Sequence, residues 1–136
     1  MNGDRSLTRT RLLLADDHPL LLERVAALLS SSFDIAGAAR SGEELISEAM
    51  RLDPDVIVAD ITMPVLSGIE ACHRLHEFGF KAKFVFLTVH PEDEFLQACM
   101  AEGALGYVVK SRMGTDLIPA INAVLSGRSY VSRSAS

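Results

Sequence analysis

The sequence predicts an α/β protein with helices on both faces of a parallel sheet, and three observations carry that expectation. Short apolar runs alternate with longer amphipathic stretches from Thr10 to Gly127, the pattern of repeated strand–helix units. The runs are apolar throughout instead of alternating with polar residues, as strands are when both sheet faces are covered. Helix start and stop signals flank the stretches between them.

A coarse reading gives about five such units. Strands are expected at Arg11 to Ala15, Asp34 to Ala38, Val56 to Ala59, Phe84 to Leu87 and Gly106 to Val109, with the third and fourth deepest. Between the first two, Pro19 to Ser30 places Leu22, Val25, Leu28 and Leu29 on one helical face. Ser41 ahead of Glu43 and Glu44 puts a capping hydroxyl and two carboxylates where the exposed amides of a helix start favour them. Pro91 followed by Glu92, Asp93 and Glu94 repeats that signal, and Gly103 is the expected stop. The last helix is read over Thr115 to Ser126, with Thr115 as cap so that Pro119 falls in the opening turn, and Gly127 ends it.

The 136 residues are 49% apolar and 23% charged, the profile of one globular domain. Residues 1–9 read as a flexible leader and 129–136 as the start of a linker, leaving 10–128 as the folded unit. A formal net charge of -5 lacks the basic footprint of a nucleic-acid binder. No apolar run approaches the roughly 18 residues of a membrane span, and the polar start does not resemble a secretion signal. The expectation is a cytoplasmic protein without membrane contact. Cys72 and Cys99 lie far apart in sequence and read as ordinary apolar positions, a lone reactive thiol being the sharper alternative.

Asp16 and Asp17 directly follow the first run and Asp60 the third, so each acid falls at the carboxyl end of a strand, the ligand-binding edge of an open parallel sheet. If those strands are neighbours, the acids share one crevice, and each pair at 4 Å would repel by roughly 4 kcal/mol at an effective dielectric of 20. A cation is then required, and oxygen ligands with room for water suit magnesium. Thr88 after the fourth run and Lys110 after the fifth add a hydroxyl and an ammonium to the same edge. A metal, a lysine and a hydroxyl around an attacking carboxylate are the parts that phosphoryl transfer needs.

The segments RLLLADDH, VIVADITMPVLSG, FLTVH and GYVVK resemble, in content, order and spacing, the receiver domains of two-component response regulators. The resemblance spans Arg11 to Gly127 and looks most like regulators with a C-terminal LuxR-type helix-turn-helix output domain. It implies a doubly wound, flavodoxin-like five-stranded sheet of order 2-1-3-4-5. It also implies Asp60 as phosphoacceptor, Asp17 and Asp60 as carboxylate ligands of Mg2+, Asp16 acting on the metal mainly through water, and the Thr62 carbonyl as a further ligand. Lys110 would contact the phosphoryl group, Thr88 would donate to it, and Tyr107 would be the aromatic whose rotamer reports the phosphorylated state. Met63, Pro64 and Gly68 match the family's loop after the acceptor. Thr62 replaces the amide or acid often seen there, and Ser111 stands where many relatives have proline, which leaves the Lys110–Ser111 isomer open.

The implied partner is a histidine kinase; a homodimer through exposed helix faces is open, and DNA would be reached only through a C-terminal domain beyond this sequence. Taken singly, the site residues have plainer readings. Asp16 and Asp17 could cap the following helix, Lys110 could be a solvated strand-end lysine, Thr88 a satisfied buried hydroxyl and Tyr107 core. His18, His73, His76 and His90 lack metal-ligand spacing and read as surface or capping residues, His90 being nearest the site. The alternatives are a stand-alone receiver acting by protein binding, an aspartate-nucleophile phosphatase of the haloacid dehalogenase type, and a degenerate receiver used only for docking. The phosphatase should carry its nucleophile on the first strand with a second acid two positions on, where this chain has His18 and Pro19 after Asp17.

Overall fold

The computed structural model describes residues 9–89 and 93–132, apart from the side chains of 93–95. The leader over 1–8, His90, the helix start at Pro91 and Glu92, and the tail over 133–136 lie outside the described residues. Apolar runs form β1 (Arg11–Ala15), β2 (Asp34–Ala39), β3 (Val56–Asp60), β4 (Lys83–Thr88) and β5 (Gly106–Val109). The helices are α1 (Pro19–Leu29), α2 (Gly42–Leu52), α3 (Gly68–Glu77), α4 (Asp93–Ala101) and α5 (Met113–Leu125), with a 3-10 turn over Lys110–Arg112. Among the described residues no helix is long and apolar enough to cross a membrane.

The sheet is parallel throughout and runs β2-β1-β3-β4-β5, the expected order, followed by a sixth strand, β6 (Tyr130–Val131). Successive strand side chains point to opposite faces, so each strand feeds two cores. Leu13, Ile57, Ala59, Phe84, Phe86 and Tyr107 meet α2, α3 and α4 on one side. Leu12, Leu14, Val58, Val85 and Val108 meet α1 and α5 on the other. That double coverage is why the strands read as continuous apolar runs.

The five-strand expectation is corrected by β6, which pairs Tyr130 with Gly106 and Val131 with Tyr107. Here the segment expected to be linker is tied down by Tyr130 N–H donating to the Leu105 carbonyl at 2.9 Å and Ser132 N–H to the Tyr107 carbonyl at 2.8 Å. The β5–α5–β6 connection also has the hand opposite to the others. It moves along the sheet in the same direction as those through α2, α3 and α4, yet α5 packs on the other face. Parallel crossovers are right-handed in about 98% of cases, so no pattern rule would have placed this strand.

Of the helix starts expected among the described residues, those at Pro19 and after Ser41 are found and the one at Thr115 is not. The Ser41 hydroxyl accepts from Glu44 N–H at 3.1 Å and Ser67 does the same for Glu70 at 3.1 Å. Gly103 and Gly127, at φ 86° and 78°, close α4 and α5 in the left-handed region. The start of α5 was expected at Thr115 but lies at Met113, continuing from the 3-10 turn, and Pro119 stands inside the helix. Thr115 is not its cap: its hydroxyl donates to the Arg112 carbonyl at 3.2 Å and to Asp116 at 3.0 Å. Burial opposes ionisation of Asp116, but the Ser132 hydroxyl beside it and hydrogen bonds from Arg112 and Thr115 hold its carboxyl below the usual range. This group binds the first turn of α5 to the end of β6.

A second polar tie joins α3 to the turn after α4. His73 Nδ1 lies 2.7 Å from Glu102 Oε1 and its Nε2 3.4 Å from Glu77, while His76 Nδ1 lies 2.8 Å from the Glu102 carbonyl oxygen. His73 and His76 thus bridge elements, beyond the surface or capping role expected of them. Cys72 and Cys99 are fully buried free thiols, and burial pushes both up to about 12, which leaves them inert as nucleophiles.

Two expected outcomes follow from these ties. Asp116→Ala should lose about 1–2 kcal/mol in urea unfolding, with faster amide exchange at Tyr130 and Ser132 than elsewhere in the sheet. Glu102 holds the His73 imidazole above its ordinary pKa, so this contact contributes fully below pH 6.5 and fades as pH rises through the folded-state value. The melting temperature of Glu102→Gln should therefore fall below that of the parent by about 1–2 °C at pH 6 and converge with it in alkaline buffer.

Candidate functional site

The register of the sheet assembles the site. β1 pairs with β3 so that Ala15 stands opposite Ala59, which brings Asp16, Asp17 and Asp60 to the same carboxyl-terminal edge. On the other side of β3, Asp60 stands opposite Leu87 and Thr88 stands opposite Val109, so Thr88 and Lys110 extend that edge. Gly68 closes the loop over it: a Cβ there would collide with the carbonyl oxygen of Asp60, so only glycine lets α3 start this near the acid. In the same loop Val65 holds φ 67°, a strained value for a β-branched residue, with its side chain 87% exposed.

Asp16 is 3% and Asp60 5% exposed. Between them lies the Lys110 ammonium, with Nζ 3.0 Å from Asp16 Oδ2 and 3.3 Å from Asp60 Oδ2. Thr62 N–H donates to Asp60 Oδ1 at 3.2 Å and fixes that carboxylate's orientation. Burial raises Asp60 above the usual carboxylate range; Lys110 pulls it down, Asp16 pushes it up, and burial prevails. Thr88 is fully buried at the end of β4, and Tyr107, 2% exposed on β5, belongs to the core facing α3 and α4. Each position singled out in the sequence therefore lies at or directly beneath one edge.

Asp16 is also a local cap, its Oδ1 accepting from His18 N–H at 2.9 Å, so the plain and the functional readings hold together at this residue. The surprise is the His18 ring. It was expected to be a surface or capping residue without metal-ligand placement, yet its Nδ1 lies 3.0 Å from Asp16 Oδ1 and 3.1 Å from Asp17 Oδ1. Ligand atoms of Asp16, Asp17, His18 and Asp60 all lie within 4.8 Å of one another. The sequence signal was the adjacency of His18 to the acid pair; its rotamer is a tertiary matter. The Lys110–Ser111 bond is trans, since the described residues contain no cis peptide.

The pocket fits a hard divalent cation. Among the described residues Asp16 Oδ2 and Asp17 Oδ1 are buried oxygens without a hydrogen bond, in ionic contact with Lys110 and His18 respectively. Carboxylate oxygens of this kind are what a cation with oxygen preference would satisfy. Leu20 at the start of α1, Val65 and Val89 are 76%, 87% and 63% exposed on loops of the same edge, an apolar rim around a charged pocket.

Comparison with known proteins agrees with this geometry. The model of the response regulator receiver domain matches residues 12–122. The response regulator GacA of Pseudomonas viridiflava is 35% identical over 124 residues, covering 90% of this chain and 58% of that protein. The nitrate/nitrite response regulator protein NarL of Escherichia coli is 35% identical over 123 residues, covering 89% and 57%. The chain thus spans little more than half the length of these relatives. Among solved structures, a LuxR-family two-component response regulator from Aurantimonas superposes with TM-score 0.86 at 30% identity, covering 93% of this chain and 91% of that one. The signal receiver domain of the response regulator NarL from Mycobacterium tuberculosis gives 0.84 at 25% identity, covering 89% and 99%. On the strength of the family match over most of its length, the chain belongs to the response regulator receiver domains.

Proposed function

We propose that Asp60 is the phosphoacceptor of a two-component pair, taking its phosphoryl group from a phosphohistidine on a histidine kinase. The observation that supports this is the Lys110 ammonium, just after β5, held between Asp16 and Asp60, a cation beside the carboxylate on which charge of a transferred phosphoryl group would develop. An Asp60 carboxylate oxygen attacks phosphorus in line, the P–N bond breaks, and the kinase imidazole leaves with that electron pair. Thr62 N–H orients the carboxylate for the attack. Asp17, Asp60 and the Thr62 carbonyl would hold Mg2+ directly and Asp16 through water, and the ion would neutralise the equatorial oxygens. The apolar rim of Leu20, Val65 and Val89 offers the kinase a surface that excludes water from the transfer.

Once Asp60 carries phosphate, Lys110 turns from Asp16 to the new oxygens and the Thr88 hydroxyl donates to them. Tyr107, in register with Phe86 two residues before Thr88, would follow that movement. The shifted state would favour a partner surface on α4, β5 and α5 by differential affinity, since equal affinity shifts nothing. A second copy of the chain is one candidate for that surface. The likeness to longer response regulators and to a LuxR-family structure supports a receiver that works with a DNA-binding output, in a cytoplasmic regulator of transcription.

Incubation with Mg2+ and a small acyl phosphate should add one phosphoryl group by intact mass, a gain absent from Asp60→Asn and slowed at least tenfold in Lys110→Ala. Rapid multiple turnover without a stable adduct would instead reveal a phosphatase. Burial raises Asp60, so the proton taken up at low pH stabilises the fold and that contribution is lost as pH rises through the folded-state value. Asp60→Asn should therefore melt a few degrees higher than the parent in metal-free buffer at pH 7.5, and millimolar Mg2+ should raise only the parent's melting temperature.

A further inference from the structure

The imidazole of His18 enters a pocket otherwise built from carboxylates. We propose that His18 Nδ1 is a ligand of the cation in this pocket and gives it a preference for a borderline first-row ion such as Mn2+, Co2+ or Zn2+ over Mg2+. The inference rests on the reading above that the acidic pocket holds a divalent ion, and adds which ion it selects.

The argument is one of spacing and donor chemistry. Neighbouring ligands on an octahedral ion with bonds of about 2.1 Å lie about 3.0 Å apart. Nδ1 lies 3.1 Å from Asp17 Oδ1, the separation of two neighbouring ligands on one ion, and 3.0 Å from Asp16 Oδ1, beside which a water of that ion would sit. Asp60 contributes a fourth atom within the same 4.8 Å cluster. The buried Asp17 Oδ1 has no hydrogen bond, although the ring is beside it. Lys110 approaches Asp16 through Oδ2, which leaves the Oδ1 side to His18 and an ion. The remaining edge of the ring is open, since 69% of the His18 side chain is exposed, so an ion and its waters can be reached from solvent.

An all-oxygen pocket discriminates weakly among hard ions, whereas one imidazole nitrogen raises affinity in the order Mn2+ < Co2+ and beyond, and does little for Mg2+. His18 is the N-cap position of α1 and makes no side-chain capping bond there, so the ring is free of a helix-capping duty. It sits there by virtue of the Asp16 turn, whose Oδ1 binds the His18 backbone amide.

The test uses the whole chain with Mn2+ and Mg2+ as probes. Dissociation constants would be measured by calorimetry for the parent, His18→Asn, His18→Ala and Asp17→Asn, and pulsed EPR of the Mn2+ form would read coupling to a directly bound nitrogen. Asparagine is a favoured N-cap residue and keeps α1 anchored, which guards against a folding defect in the alanine variant. The proposal expects nitrogen coupling in the parent, its loss in both His18 variants, and a fall in the Mn2+ over Mg2+ selectivity ratio of at least tenfold, within the range seen when a metal site loses a supporting group. Absence of nitrogen coupling in the parent, or a ratio unchanged within twofold, overturns it and leaves His18 as a hydrogen-bond donor to the acids. If Asp17→Asn binds both ions as tightly as the parent does, the acidic pocket is not the metal site and the underlying reading fails with it.

Discussion

The molecule is organised around an electrostatic conflict: three carboxylates are gathered at one sheet edge, and the Lys110 ammonium stands between Asp16 and Asp60, the two that are almost wholly buried. Removing charges from water costs several kcal/mol per ion, and one lysine cannot compensate for three acids. The raised Asp60 carboxyl is the measurable trace of that imbalance. It is tolerated because the rest of the sheet is not free to yield. Two apolar cores clamp β1 and β3 on both faces, and the contact of Gly68 with the Asp60 carbonyl fixes the loop above. A site under such tension gains stability from any cation that relieves it, which is how local chemistry acquires leverage over structure.

Much of this was legible in the chain because the same physics acts along it. Continuous apolar runs gave five strands, since strands covered on both faces have no polar side. The acids stood out because each directly ends such a run, and parallel sheets present those ends together. What the chain does not display is register and rotamer. That Ala15 faces Ala59, making Asp16 and Asp60 neighbours, depends on pairing between distant strands. That the His18 ring folds back onto Asp16 and Asp17 depends on the turn those acids make.

The sixth strand and the start of α5 were missed for a connected reason. Tyr130 and Val131 are too few to produce a periodic signal, and the opposite-handed connection through α5 runs against the rule that guides strand placement. The tie that secures them is polar and nonlocal, with Asp116 receiving Arg112 and Thr115 at the head of α5 beside Ser132 at the end of β6. Because α5 begins at Met113 directly after the 3-10 turn, Pro119 falls in the helix interior, where its ring denies the Thr115 carbonyl its amide partner.

These ties bear on how a signal would leave the site. Movement initiated at Thr88 and Lys110 has two directions open to it. Toward α4, it meets the turn held by Glu102 to His73 and His76 on α3. Toward α5, it meets Arg112, two residues from Lys110, already engaged with Asp116 and through it with β6. Both resistances are a few polar contacts whose cationic partners, His73 and Arg112, are open to solvent, so each is worth far less than the apolar packing beneath it. Under the proposed function, a phosphoryl group that drew Lys110 away from Asp16 would therefore shift the α4 and α5 ends while the cores stay intact. In that reading the sheet would be the rigid frame, and the polar ties at its β5 side would be the parts weak enough to switch.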